Sequence, residues 1–309
     1  MERPYILHMF TPGAQMSPFD VNMAADAGWQ VITPYCGVGL DAIGGLTQDA
    51  IFSRGPKGVA RTGIFIGGRD VILAADMLER AKKAMVPPFI VRLFADPSGA
   101  YTTAAAMVAC AQSALKQHHG AEFAGRKLLI LGGTGTVGRI AGVLAAQLGA
   151  DVHLASQRGA QAAQAAADET GKRFGVTLKA TGSKDPAELR AALAGAHIVF
   201  GTAAAGVQVL CEADRAHASM LQVAADVNAV PPAGLAGVGV MDDAEPIAGT
   251  KAVGIGALAV GNVKYQTQQR MLVRMREAAK PVAFDFTDAF AVARDVLAEK
   301  VAEKGAKPG

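Results

Sequence analysis

The chain has 309 residues, of which 51% are hydrophobic and 18% are charged, and its formal net charge is +3. This length suggests about two domains, each with enough apolar residues for a core. The net charge is too small to indicate a nucleic-acid partner. Gly, Asp or Lys interrupts the most apolar stretches, so no membrane span is expected.

Cysteine and histidine usage argues against two further kinds of site. Cys36, Cys110 and Cys211 are far apart and form no C-x-x-C pair, so neither a zinc site nor a disulfide framework is expected. The six histidines show no metal-ligand spacing, so we expect no catalytic metal. With no recognisable signal peptide, these features predict a soluble, cytoplasmic α/β protein.

The first hundred residues alternate between short apolar strands and helical patterns, which predicts a mostly parallel α/β layer. The predicted strands are residues 5–10, 30–35, 63–66 and 89–94, and the predicted helices are residues 20–27, 70–85 and 102–117. The last helix is rich in alanine and would lead into a second domain.

A polar segment separates the last of these strands from the alanine-rich helix. It contains Asp96, Ser98 and Thr102, whose side chains can hydrogen-bond a substrate. The same residues are also typical of an Asx turn followed by a helix cap, which would make them purely structural. Both interpretations stay open at this point.

The most informative stretch begins at Lys127, where an apolar strand runs into GGTGTVG and then into a helical pattern. Gly133, Gly135 and Gly138 fit G-x-G-x-x-G between a strand and a helix, which is the context that dinucleotide binding requires. Gly133 would permit the tight turn, Gly135 the approach of a pyrophosphate, and Gly138 close packing of helix on strand. An ordinary glycine loop is the alternative. The expected cofactor contacts are Gly133, Thr134, Gly135, Thr136, Val137 and Gly138.

The next predicted strand, residues 152–156, ends where such domains select their cofactor. NAD-binding versions usually place a carboxylate there for the ribose 2′-hydroxyl. This chain has Ser156, Gln157 and Arg158 instead. A guanidinium can pair with a 2′-phosphate, so the sequence favours NADP. NAD remains open, because serine and glutamine can bind a ribose hydroxyl and Arg158 could be a solvated loop charge.

The strand–helix alternation continues after this point and predicts a doubly wound, parallel-sheet Rossmann domain. Its later strands are predicted at residues 176–180, 198–201, 221–225 and 252–255, with helices at residues 161–174 and 186–194. Amphipathic helices at residues 263–279 and 288–304 would return to the first domain. We therefore predict a smaller, discontinuous α/β substrate domain (1–104 and 275–309), a dinucleotide domain (105–274) and a ligand cleft between them.

Two further segments of the second domain carry candidate ligand groups. Asp226 and Asn228 follow a strand and would stand at the carboxyl edge of the sheet, near a nicotinamide, unless they only order a turn. Gly256 and Leu258 lie in a glycine-rich junction whose backbone N–H groups could hold a ribose, an amide or a pterin carbonyl. Lys264 is placed in the first turn of the following helix, where it opposes the dipole or is simply exposed.

Six segments together resemble the bacterial methylene-tetrahydromethanopterin dehydrogenases of methylotrophs, and the resemblance covers nearly the whole chain. The segments are 16–23 (MSPFDVNM), 63–68 (GIFIGG), 96–103 (DPSGAYTT), 132–138 (GGTGTVG), 226–234 (DVNAVPPAG) and 254–264 (GIGALAVGNVK). The chain looks closest to the branch that accepts both NAD and NADP, whereas Arg158 favours NADP.

The resemblance implies hydride transfer from methylene-tetrahydromethanopterin to NAD(P)⁺ in one-carbon metabolism, in the direction of formaldehyde oxidation. It places an active-site lysine at Lys264. Asp20 and Asn22 are expected to bind the pterin, with Asp20 accepting hydrogen bonds from the 2-amino-pyrimidinone edge. A charge next to the helix dipole is the alternative for Asp20.

The resemblance also implies a homo-oligomer, a trimer or hexamer. Folate-dependent relatives often add a cyclohydrolase activity through Tyr-x-x-x-Lys, and the tyrosine is missing around residues 49–57 of this chain, which predicts dehydrogenase activity alone. Two alternatives stay open: a methylene-tetrahydrofolate dehydrogenase, and a non-catalytic NADP-binding sensor.

Overall fold

A computed structural model describes residues 3–306. The chain divides into two compact units. The first unit contains the chain up to Thr102 together with Tyr265–Val292, and the second contains Thr103–Lys264 together with the described residues from Ala293 onward. The roles predicted for the two domains stay a prediction.

Strands and helices alternate along most of the chain. The strands are β1 (Ile6–Thr11), β2 (Val31–Cys36), β3 (Thr62–Ile66), β4 (Arg92–Ala95), β5 (Lys127–Leu131), β6 (Asp151–Ser156), β7 (Lys179–Gly182), β8 (Ile198–Gly201), β9 (Val223–Asp226), β10 (Asp243–Pro246), β11 (Val253–Ile255) and β12 (Ala283–Phe284). The α-helices are α1 (Pro18–Asp26), α2 (Leu40–Phe52), α3 (Pro56–Val59), α4 (Val71–Ala84), α5 (Ala100–His119), α6 (Thr136–Gln147), α7 (Ala160–Phe174), α8 (Pro186–Leu193), α9 (Glu212–Arg215), α10 (Ala257–Glu277) and α11 (Phe286–Ala306).

The first unit is built on a five-stranded parallel sheet with the order β12-β4-β3-β1-β2. Its central strand β3 and the neighbouring β4 are buried along their whole length, as apolar strands covered on both faces should be. Trp29 lies in this core with 4% of its surface exposed, and its indole N–H donates to the carbonyl of Leu272 on α10 at 3.3 Å. Its ring meets that of Tyr5 edge-on, with centroids 6.1 Å apart.

The second unit is built on a seven-stranded sheet with the order β10-β11-β9-β8-β5-β6-β7. All pairs are parallel except that of the edge strand β10 with β11. From β5 the chain builds outward to β7, then returns to β8 and builds in the other direction. This reversal places a topological switch point between β5 and β8, where doubly wound folds bind ligands. The predicted doubly wound α/β fold is confirmed.

Several helices differ from the sequence prediction: the short helices α3 and α9 are not predicted, and α2 and α10 differ for identifiable reasons. The pattern does not predict α2, because Gly44 and Gly45 each lower helix propensity by about 1 kcal/mol; burial of Ile43 and Ile51 compensates. Helix α10 starts at Ala257 rather than at residue 263, and Gly261 lies inside it. Among the described residues, no helix has the length and apolar character needed to cross a bilayer.

Candidate functional site

The loop between β5 and α6 is shaped by glycines whose positions leave no room for a side chain. Gly132 has φ +77°, and a Cβ there would lie 2.6 Å from the backbone nitrogen of Ala203. Gly133 packs on β6, where a Cβ would lie 3.0 Å from the Cα of Leu154. Gly133 is a central residue of the turn that the N–H of Gly135 closes on the Gly132 carbonyl at 3.0 Å. Gly132 supplies the positive φ of this loop, and Gly133 also allows the close contact with the neighbouring strand.

The start of α6 is arranged as a phosphate site would be. A Cβ on Gly138 would lie 2.8 Å from the Cα of Gly133, so Gly138 does allow the predicted close packing. Gly135 is exposed, and the nearest atom to a Cβ there would be 3.3 Å away. The first helical bond runs from Arg139 N–H to the Gly135 carbonyl. The N–H groups of residues 136–138 therefore have no partner within the helix and can bind an anion.

Arg158 lies beside this loop, at the end of β6. Its guanidinium Nη2 donates to the hydroxyl of Thr134 at 3.2 Å, and its backbone N–H donates to the hydroxyl of Ser156 at 3.1 Å. These residues and the glycine loop line a cavity of about 280 Å³. None of the described residues that line it is acidic. A phosphate is therefore the ligand group that the charge and the donors of this cavity fit.

Asp226 is buried in the second unit at the end of β9. Its Oδ1 accepts from the backbone N–H of Asn228 at 3.0 Å and its Oδ2 accepts from that of Leu235 at 2.9 Å. Burial raises the pKa of this carboxyl, and the backbone N–H bonds act in the opposite direction. A Cβ on Gly201 or Gly234 would lie 2.8 Å from the Asp226 carboxylate. The carboxylate therefore fixes the position of the backbone segments that contact it.

Asn228 connects two loops of the second unit. Its Oδ1 accepts from the backbone N–H groups of Gly206 and Val230, both at 3.0 Å, and its Nδ2 donates to the carbonyl of Pro232 at 2.8 Å. Asp226 and Asn228 both line a cavity of about 230 Å³. Their hydrogen bonds support the structural alternative, in which they hold the wall of this cavity in place. A direct contact with the nicotinamide stays a prediction.

The junction between β11 and α10 differs from its predicted form in two respects. The N–H of Gly256 donates to Asp242 O at 2.8 Å and that of Leu258 donates to Val240 O at 3.0 Å, so both are already used within the protein. Gly256 still lines the 230 Å³ cavity and Leu258 is exposed, so any ligand contact would come from their other atoms. Lys264 is half-buried and lies about two turns beyond Ala257. Its predicted place in the first turn is wrong, because α10 starts earlier.

The first unit has its own cavity, of about 750 Å³, at the carboxyl ends of β1 and β3. Segments far apart in the sequence meet there. The lining residues are Thr11–Pro18, Asp20, Gly68–Asp70, Leu73 and Ser98. Three of the segments singled out in the sequence, 16–23, 63–68 and 96–103, thus contribute to one cavity. The exposed Arg69 gives it one positive charge, and the buried Asp20 and the exposed Asp70 give it two negative ones.

Asp20 lines this cavity although only 3% of its surface is exposed. Its Oδ1 accepts from Nε2 of Gln268, a residue of α10 that is fully buried, at 2.7 Å. Asn22 is exposed and does not line the cavity. Of the two residues predicted to bind the pterin, only Asp20 lies at the cavity.

Different residues of the polar segment after β4 fit the two interpretations that the sequence left open, a helix cap and a ligand site. Asp96 accepts from the N–H groups of Tyr101 and Thr102 at 3.0 and 3.2 Å, and from the Thr102 hydroxyl at 2.7 Å. Asp96 and Thr102 are fully buried. They form the cap of α5, as the structural alternative predicts. Ser98 lines the cavity, donates from its hydroxyl to Gly68 O at 2.8 Å and has φ +52°.

Sequence patterns did not identify Arg69 or Gln268. Arg69 follows the Gly67-Gly68 pair after β3, and this position beyond a strand end was the available signal. Gln268 gave no signal, because a glutamine in an amphipathic helix usually faces solvent. Among the described residues, no group of three or more His, Cys, Asp or Glu side chains could hold a metal ion.

Comparisons with known proteins give consistent results. The family model for the N-terminal part of methylene-tetrahydromethanopterin dehydrogenase matches residues 18–98. A protein of Methylorubrum extorquens named NAD(P)-dependent methylenetetrahydromethanopterin dehydrogenase is 48% identical over 291 residues, which are 94% of this chain and 98% of that protein. Another protein of this organism, named bifunctional protein MdtA, is 35% identical over the same shares of both chains.

Solved structures resemble this chain at low sequence identity. Ornithine transcarbamoylase from Giardia lamblia superimposes with a TM-score of 0.52 at 13% identity, over 90% of this chain and 88% of that one. A likeness at this level concerns the fold alone. The identity of 48% over 94% of the chain goes much further. By that similarity, the chain belongs to the NAD(P)-dependent methylene-tetrahydromethanopterin dehydrogenase family.

Proposed function

We propose that this enzyme transfers a hydride from methylene-tetrahydromethanopterin to NAD(P)⁺ and releases the methenyl form. The observation that carries this proposal is the 48% identity with a relative named for that activity over nearly the full length of both chains. The structure supports it with two sites. A glycine loop suited to a dinucleotide lies in the second unit, and a larger polar cavity lies in the first.

The chemistry of this reaction requires little acid–base catalysis. The methylene carbon bridges two nitrogens, so loss of hydride gives an amidinium cation that the nitrogen lone pairs stabilise. The substrate loses no proton, and no general base is obligatory. The bound nicotinamide cofactor supplies the hydride acceptor. The protein therefore has to orient both molecules and exclude water.

We assign the cofactor to the loop of residues 132–138 and propose a preference for NADP. Arg158 is already held over the loop by its bond to Thr134, and a 2′-phosphate would meet a guanidinium and hydroxyl donors. Ser156 could bind a 2′-hydroxyl instead, which fits a relative named for both cofactors. Predicted contacts with the nicotinamide end involve the cavity wall held by Asp226 and Asn228.

We assign the pterin to the 750 Å³ cavity, with Asp20 accepting hydrogen bonds from its 2-amino-pyrimidinone edge. The expectation that pterin and cofactor meet in a cleft between two domains stays a prediction. So do the homo-oligomer, the role in formaldehyde oxidation and the cytoplasmic location, which fits the three free cysteines.

Lys264 keeps its proposed role in substrate binding. A charged ammonium close to the forming cation would oppose the reaction, so we place it at a polar pterin group away from the reacting carbon. Lys264→Met should raise the KM for the pterin or lower kcat by at least about tenfold, since a lost charged hydrogen bond costs roughly 1.5–3 kcal/mol. Unchanged turnover and unchanged pterin affinity would remove Lys264 from the site.

The deciding experiment is an assay at 340 nm with methylene-tetrahydromethanopterin and either NADP⁺ or NAD⁺. We expect reduction of both cofactors with a lower KM for NADP⁺. Methylene-tetrahydrofolate serves as the control substrate, and faster turnover with it would favour a folate enzyme. Cofactor binding without turnover of either pterin would contradict the proposal and favour a non-catalytic sensor.

A further inference from the structure

Gln268 is a fully buried polar side chain that contacts a residue of the proposed pterin cavity. Its Nε2 donates to Asp20 Oδ1 at 2.7 Å, and Asp20 lines the cavity with 3% of its surface exposed. Burying an amide is unfavourable unless it forms good hydrogen bonds. A glutamine fixed inside a helix of the core is therefore a rigid donor for this carboxylate.

The chemical type of this donor matters for the carboxylate. A carboxylate has two side-chain torsions, and a hydrogen bond to one oxygen restricts both. The donor is a neutral amide, so its hydrogen bond fixes the orientation of Asp20 without neutralising the carboxylate charge. A lysine or arginine in the same place would neutralise it. An oriented anion is what the N–H donors of a pyrimidinone edge require.

We propose that Gln268 is a positioning residue that holds Asp20 in the orientation that binds the pterin ring. This inference rests on the proposed function, because it needs the pterin in the cavity of the first unit. Gln268 contributes to substrate affinity through Asp20. Removing its amide should therefore affect pterin binding while leaving the cofactor site of the second unit unchanged.

The first test replaces the amide by an apolar side chain of similar size, Gln268→Met. We expect the KM for methylene-tetrahydromethanopterin and the Kd of the methenyl product to rise about tenfold. The KM for NADP⁺ should stay the same, and kcat should change less than KM. Gln266→Met is the matched control, because Gln266 is an exposed residue of the same helix. Unchanged pterin constants in a folded Gln268→Met protein would overturn the inference.

A double-mutant cycle separates positioning from a general effect on the core. Asp20→Asn should raise the pterin KM by itself, and adding Gln268→Met should then raise it little further. An equal rise in both backgrounds would mean that Gln268 does not act through Asp20, and the inference would be wrong. Inactive wild-type enzyme, by contrast, would contradict the proposed function itself.

A second variant guards against loss of the fold. Gln268→Asn keeps a buried amide but shortens the side chain by one methylene, so its donor no longer reaches Asp20. Thermal melting and NADP⁺ binding will establish that each variant is folded. If Gln268→Met does not fold, Gln268→Asn is expected to raise the pterin KM in its place, and a wild-type KM in Gln268→Asn would overturn the inference.

Discussion

Arg158 is the residue with the clearest proposed consequence, because a single guanidinium could select between two cofactors that differ by one phosphate. It is exposed, and its side chain already bonds Thr134 of the glycine loop. The protein therefore meets part of the entropic cost of ordering this long side chain before the cofactor binds. We propose that the charge at this one position favours NADP over NAD.

We predict that Arg158→Ala raises the KM for NADP⁺ by roughly 10- to 100-fold, since hydrogen bonds to charged groups contribute about 1.5–3 kcal/mol. The KM for NAD⁺, which lacks the 2′-phosphate, should change less than threefold. Steady-state assays with both cofactors provide the measurement. Arg190→Ala is the control, because it removes a guanidinium paired with Asp214 elsewhere in the unit. Equal effects on both cofactors would remove Arg158 from the 2′-position.

His8 provides a prediction about pH and stability. Burial lowers the pKa of this imidazole from its ordinary 6.5, the charge of Arg54 adds to the effect, and Nδ1 lies 3.2 Å from the Tyr35 hydroxyl. As pH falls through 6.5, the unfolded chain takes up the proton before the folded one. Stability from this group is therefore complete above pH 6.5 and declines below it.

We predict that His8→Gln makes the free energy of unfolding less dependent on pH between neutrality and the lowered pKa. Urea denaturation at several pH values, followed by circular dichroism, measures this difference. Identical slopes for wild type and variant would mean that His8 does not carry the effect.

Residue-scale features differ in how far the sequence could predict them. The position of Arg158 beside the glycine loop was predictable because it depends on the distance from a strand end and a glycine motif. The bond between Asp20 and Gln268 was not, because it joins positions 248 residues apart through tertiary packing. Asp96 and Thr102 were ambiguous for a physical reason, since the same side chains suit a helix cap and a ligand.

At the scale of elements, the loop between β5 and α6 contains glycines that serve two different purposes. Gly132 is required by its positive φ and by the backbone of Ala203. Gly135 has ordinary φ and ψ and is exposed, and a Cβ there would come no closer than 3.3 Å to a neighbouring atom. The first is needed for the fold, and we propose that the second allows the approach of a phosphate.

We predict opposite outcomes for alanine at these two positions. Gly132→Ala should destabilise the protein by roughly 1–3 kcal/mol or more, because it adds backbone strain and a clash. Gly135→Ala should melt like wild type but raise the KM for both cofactors at least tenfold. Calorimetry and cofactor titration test the pair. A stable Gly132→Ala protein, or normal cofactor binding by Gly135→Ala, would contradict the assignment.

The boundaries of an element were predicted correctly where the sequence contains one strong signal for its end. Both β5 and β8 were predicted to the residue, because apolar runs end there at glycine or threonine. Helix α10 was predicted too short, because Gly256 and Gly261 are typical of a loop. Tertiary packing stabilises the helix at Gly261.

At the scale of the whole molecule, one chain carries a parallel and a mostly parallel sheet, each with a cavity at the carboxyl ends of its parallel strands. The doubly wound fold was predictable from the strand–helix alternation. The cavity lining of the first unit was not, because it depends on the loops after strands that are distant in sequence. The roles of the two units therefore need a direct test.

We predict that the two ligands protect different parts of the chain from hydrogen exchange. NADP⁺ should slow exchange in residues 132–138 and 156–158, and the methenyl pterin should slow it in residues 11–20 and 66–73. Peptide-resolved mass spectrometry measures both, with NAD⁺ as a weaker ligand for the first set. Protection of the glycine loop by the pterin alone would reverse the assignment.

The position of Trp29 has a practical optical consequence. It is the single tryptophan of the chain, and it is buried in the first unit against α10. Its emission should therefore report the environment of that unit and be insensitive to unfolding confined to the second unit. Fluorescence of bound reduced cofactor provides the complementary signal, so the two units can be followed separately in one cuvette at two wavelengths.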